Sequence, residues 1–145
     1  WESSWEGTPD PQDGKTKLGV QITPLDEVLN SCKKSNSSIF LRRVNCPENT
    51  FNNQVLSETH EVVYDKPYDL VPRDWINAIS RKDNDPQKTD RFWCSALVGY
   101  IYTTCNLLVK NTDWSILRPS DFSDKYNGDL HWMNPCSLDK EEQIL

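Results

Sequence analysis

Asp90-Arg91-Phe92-Trp93-Cys94-Ser95-Ala96-Leu97-Val98 is the stretch on which the reading of this chain turns. Thr89 or Asp90 is a sound N-cap, and Trp93, Leu97, Tyr100, Ile101, Thr104 and Leu108 then recur at close to helical spacing, which predicts an amphipathic helix with one core face. If Asp90 is the cap, Cys94 falls in the fourth helical position. A cysteine attacks as its thiolate, and a helix N-terminus favours negative charge through its dipole and its unpaired N–H groups, which can also receive a tetrahedral oxyanion. Position alone equally suits a buried cysteine acting as a small hydrophobe. Cys105, between Thr104 and Asn106, lacks any such setting and reads as packing, as do Cys32, Cys46 and Cys136.

On the N-terminal side of that helix, Trp1 to Trp5 reads as the end of a strand and Leu18 to Thr23 as a second, with Val20 and Ile22 on one face. The turn formers of residues 8–17 between them predict an exposed loop. Pro24 opens a short helix carrying Leu25, Val28 and Leu29 on one side. Ile39 to Val44 is β-rich and closed by Pro47, while Phe51, Val55, Leu56 and Thr59 suggest a helix within Glu48 to Val63. Pro67 and Pro72 interrupt regularity. Trp75, Ile76 and Ile79 predict one more short helix before a polar loop from Arg81 to Lys88. On the C-terminal side, Asn111 to Tyr126 is loop-like with a turn at Ser120-Asp121-Phe122, and Leu138 to Leu145 predicts a final edge strand. The expected architecture is α+β, an antiparallel sheet with the Cys94 helix packed on one face.

Composition narrows the function. The chain has 145 residues, enough for one domain with a genuine core, and its six Trp, five Tyr and four Phe supply large buried surfaces. The longest apolar run, Phe92 to Tyr102, falls well short of the ~20 residues of a membrane-spanning helix. A net charge of −6 with only scattered basic pairs argues against nucleic acid as a partner. Five cysteines, an odd number without a CxxC pair, predict free thiols in a reducing compartment such as the cytoplasm, and no zinc site.

Lys66-Pro67-Tyr68-Asp69, then Phe92-Trp93-Cys94-Ser95-Ala96-Leu97-Val98, then Asn106-Leu107-Leu108, resembles the NlpC/P60 superfamily of papain-like cysteine hydrolases. The order of the parts resembles its circularly permuted, YiiX/YebB-like and poxvirus-virion-type branch. Trp1-Glu2-Ser3, Gly19-Val20-Gln21-Ile22-Thr23-Pro24-Leu25, Phe40-Leu41-Arg42-Arg43-Val44 and Trp114 to Ser123 fit that order, so the resemblance spans almost the whole chain. It implies a papain-like fold over residues 1–145 and Cys94 as the nucleophile. Glu2 would be the acid that orients a catalytic histidine, or otherwise a frayed surface carboxylate. Tyr68 would hold the substrate carbonyl, or otherwise be a core tyrosine.

The histidine departs from the family pattern. Only His60 and His131 are present, and neither lies where the family places its base; His131 follows Gly128-Asp129-Leu130, which is similar to an element of unpermuted relatives. The resemblance therefore implies a His-bearing strand upstream of Trp1, or a domain that has lost catalysis. The expected activity is a thiol hydrolase or acyltransferase, peptidase-like in mechanism, that acts on a peptide, lipid or other acyl substrate through a thioester, without cofactor or metal. The competing expectation is an inactive papain-like domain that assembles into a larger complex, for example a viral particle.

Overall fold

The computed structural model describes residues 1–82, 88–126 and 130–145, so parts of the Arg81–Lys88 loop and of the Gly128-Asp129-Leu130 element lie outside the described residues. The chain is α+β, with four α-helices and short antiparallel pairings among the described residues.

Strand β1 (Glu2–Ser4) pairs antiparallel with β2 (Gly19–Gln21), setting Ser3 opposite Val20. The ribbon continues as single bridges, Gly19 to Pro67 and Tyr68 to Phe92. Val20 N–H donates to the Lys66 carbonyl at 2.8 Å and Phe92 N–H to the Pro67 carbonyl at 3.1 Å. Gly19 is required here, because a Cβ would lie 2.3 Å from the Lys66 carbonyl oxygen. The buried Ser3 hydroxyl then donates to the Phe92 carbonyl at 2.6 Å, tying the chain's start to the residue two before Cys94.

Helix α1 (Leu25–Lys34) carries Asp26 and Glu27 in its first turn and Lys33 and Lys34 in its last, matching the dipole, but buries no residue. Helix α2 (Asn53–Val63) is capped by Asn52, whose side chain accepts from Val55 N–H at 2.9 Å, and it buries Thr59 and Val63. Pro72 does not interrupt structure; it sits in the first turn of α3 (Pro72–Ser80), where its missing N–H costs nothing, and Arg81 ends that helix in the left-handed conformation.

Helix α4 (Cys94–Thr104) begins later than expected, with Trp93 rather than Thr89 or Asp90 as N-cap. The Phe92 backbone is held extended against Pro67 and Asp69, so the helix cannot start before this pairing is left behind. Cys94 is thus the first helical residue, not the fourth. Asn106, at φ 57°, stops the helix short of Leu108.

The expected strand at Ile39–Val44 and the C-terminal edge strand each divide in two. Strand β3 (Phe40–Leu41) pairs with β6 (Glu142–Gln143), and β4 (Val44–Asn45) with β5 (Ser137–Leu138). Between the pairs, Arg42 turns to bond the carbonyls of Phe122 and Asp139, and Asp124 and Glu141 each accept the other's backbone N–H. These side-chain bonds replace ladder bonds.

The main core gathers Val20, Val63, Phe92, Leu97, Leu108, Trp114 and Leu117. A second cluster around Cys105, Leu107 and Cys136 lies under α2. Residues 8–17 are not simply exposed. Asp10 is fully buried and accepts from Gln12 and Ile22 N–H groups, and Lys17 bridges Asp10 and Asp13 at 3.2 and 3.0 Å beneath the Tyr64 ring.

Candidate active site

Of the five free cysteines, Cys105 and Cys136 are buried, Cys32 and Cys46 half-buried, and Cys94 exposed. Its position follows from the elements on either side. The extended Tyr68–Phe92 bridge delivers the chain to Trp93, where α4 begins with no side chain capping it. Its first intrahelical bond runs from Leu97 N–H to the Trp93 carbonyl at 3.0 Å, which leaves the N–H groups of Cys94, Ser95 and Ala96 without intrahelical acceptors. A helix start of this kind presents N–H donors of the type that can stabilise an oxyanion.

The two neighbours of Cys94 anchor this corner. Trp93 Nε1 donates to the Leu117 carbonyl at 3.1 Å and Ser95 Oγ donates to the same oxygen at 2.7 Å. Leu117 to Pro119 is thereby held against the helix start. A 3-10 turn at Pro119–Phe122 follows, fixed by Asp121, which accepts the Arg118 N–H at 2.7 Å and both terminal nitrogens of Arg81 at 2.8 and 2.5 Å. Burial works to raise the Asp121 carboxyl, but Arg81 and the Arg118 N–H outweigh it and hold it below the usual range.

Cys94, Ser95 and Pro119 form a ridge between two mainly apolar hollows. One, of about 270 Å³, is lined by Tyr68, Trp75, Ile79, Trp93, Leu117 and Arg118. The other, of about 320 Å³, is lined by Phe40, Arg42, Val98, Tyr102, Phe122 and Leu138. Tyr68, half-buried, thus shares a cavity with Cys94. Burial pushes its phenol up, with the Cys94 thiol and Asp69 adding to the effect, so at neutral pH it is a neutral O–H donor.

Glu2 stands apart from both hollows. Its carboxylate accepts the Thr23 hydroxyl at the β1–β2 edge. His60 lies on α2, 2.8 Å from Gln12 Oε1 and stacked on Tyr64 at 4.9 Å. His131 borders a different hollow with Val109, Asn111 and Ile116. No imidazole lines either cavity beside Cys94 among the described residues. Nor do three His, Cys, Asp or Glu side chains converge as a metal would require among those residues.

The sequence assigns no role at the site to Ser95, Trp75 or Arg118: Ser95 and Arg118 enter only as parts of longer matching stretches and Trp75 only as a sign of a helix, and the fold brings Trp75 and Arg118 to the Cys94 cavity.

Comparison with known protein families, curated proteins and solved structures finds no match to this chain. Among the described residues, no helix is long and apolar enough to cross a membrane.

Proposed function

We propose that this chain is a papain-like thiol hydrolase or acyltransferase with Cys94 as its nucleophile. The observation that carries the reading is an exposed thiol at the first residue of an uncapped helix, on a ridge between two apolar hollows, with Tyr68 in the same cavity. Sγ attacks the carbonyl carbon of an ester or amide, and the oxyanion is met by the helix-start N–H groups and the Tyr68 hydroxyl. Collapse breaks the C–O or C–N bond. The departing alcohol or amine takes up a proton, and water or a second acceptor then attacks the thioester to release acid or transferred acyl group.

Iodoacetamide labelling resolved by site tests the thiol. Cys94 should alkylate faster at neutral pH than free glutathione, and labelling no faster than that standard sinks the activated-nucleophile reading.

The second reading is a domain that keeps this fold as a structural or interaction component, for instance of a viral particle. The placement of His60 and His131 away from Cys94 favours it, because thiol chemistry of this class relies on a base. Incubation with p-nitrophenyl acyl esters, with and without added imidazole as an external base, separates the two. An acyl adduct on Cys94 supports the enzyme; none under either condition supports the scaffold.

A further inference from the structure

We propose that Arg118 is a specificity-determining residue that binds an anionic group on the leaving portion of an aliphatic acyl substrate, while the acyl chain lies across the ridge against Phe40, Val98 and Tyr102. The inference rests on the reading of Cys94 as nucleophile and adds the class of substrate.

Two guanidinium groups flank Cys94, one per hollow, and they differ in what they are bound to. Arg42 is heavily engaged: it donates to the carbonyls of Phe122 at 2.7 Å, Asp139 at 2.6 Å and Leu138 at 3.5 Å, and pairs with Asp124 at 3.0 Å. Those bonds build the β-strand junction, and the Asp124 carboxylate already balances its charge. Arg118 is the reverse. Its Nε is buried with no hydrogen-bond partner, and its carboxylate neighbour among the described residues, Asp121, stands 3.9 Å away.

Asp121 is already engaged elsewhere, its oxygens accepting two bonds from Arg81 and one from the Arg118 backbone N–H. A buried guanidinium donor without an acceptor is costly, and a planar fork of donors is suited to a carboxylate or phosphate. With 34% of its side chain exposed, Arg118 is also reachable by a ligand.

The setting sharpens the preference. Trp75, Ile79 and Trp93 give the Arg118 hollow apolar walls, which strengthen a charge pair relative to open water. The hydrogen bonds of Trp93 and Ser95 to the Leu117 carbonyl fix the residue preceding Arg118 against the start of α4, so the Arg118 backbone is held beside the nucleophile. In a chain of net charge −6, an anion has to be taken by a cation not already neutralised. The hollow on the other side offers an Arg42 already paired with Asp124 and an apolar wall, which suits a hydrocarbon chain.

Calorimetric titration of the full chain bearing Cys94→Ala tests binding without turnover, so a failed hydrolysis assay leaves this result standing and a failed titration leaves the Cys94 labelling result standing. The probes are n-octyl phosphate, nonanoate, n-octanol and inorganic phosphate. One of the two anionic amphiphiles, whichever headgroup the site takes, should bind about ten-fold or more tightly than n-octanol and than inorganic phosphate. Arg118→Gln should erase that preference while leaving n-octanol binding unchanged. Should Arg118→Gln not fold, the salt dependence in the Cys94→Ala chain decides: affinity for the anionic amphiphile must fall with added NaCl and that for n-octanol must not. Equal binding of charged and neutral probes, or Arg118→Gln that binds the anions as well as its parent, overturns the proposal.

Discussion

Cys94 and Gly99 lie five positions apart on one helix and call for opposite expectations. The Cys94 side chain faces solvent, so its loss removes little packing. Cys94→Ser should therefore change unfolding free energy by no more than about 0.5 kcal/mol while removing the fast-alkylating site. Thermal unfolding checks this, and a fall of many degrees would assign the residue to packing instead. At Gly99 the space is already taken: a Cβ would meet Leu117 Cδ1 at 2.5 Å and Trp114 Cβ at 3.0 Å. The leucine methyl can turn aside, but the tryptophan stem cannot without shifting its own backbone. Gly99→Ala should cost about 1–3 kcal/mol in denaturant unfolding; a neutral result would show that α4 and the Trp114 turn are less tightly apposed.

Among the elements, the existence of α2 and α3 follows from apolar residues at helical spacing, although Pro72, which opens α3, reads locally as a break. The start of α4 does not. Asp90 is a good cap by residue type, yet hydrogen bonds from Phe92 to Pro67 and from Asp69 to Phe92 override that preference, and such pairings lie across more than twenty positions of sequence. The same limit applies to Ile39–Val44, where the β-rich composition is legible but the break imposed by Arg42 depends on carbonyls from residues 122 and 138–139. Loop 8–17 is largely exposed as expected but departs from that at Asp10, for a related reason. Turn-forming side chains usually face water, but here Asp10 satisfies N–H groups at Gln12 and Ile22 and is buried in doing so.

At the scale of the molecule, the acidic groups of that loop link its lock to global stability. Lys15 N–H, then the Tyr64 hydroxyl and Lys17, hold the Asp13 carboxyl down to about 2. A carboxyl depressed in the folded state contributes stability that is present above its ordinary value near 4 and disappears as pH falls toward 2. Urea unfolding across that range should show a steep loss, shallower in Asp13→Asn; identical slopes would remove Asp13 from the account. The candidate site is partly legible at this scale too. Cys94 and Tyr68 are each visible in the sequence, and the fold does set them in one cavity. Arg118 was not, because nothing local distinguishes a guanidinium lacking an acceptor from one paired to the Asp three residues on; that depends on Arg81, forty positions away, having taken the carboxylate first. The shared grip of Trp93 and Ser95 on a single carbonyl has a mechanical consequence. The strap after Leu117 and the first turn of α4 form one lever, so a molecule that pulls on the strap also tilts the sulfur, and occupancy of the hollow should be audible as a change in the rate at which Cys94 is alkylated.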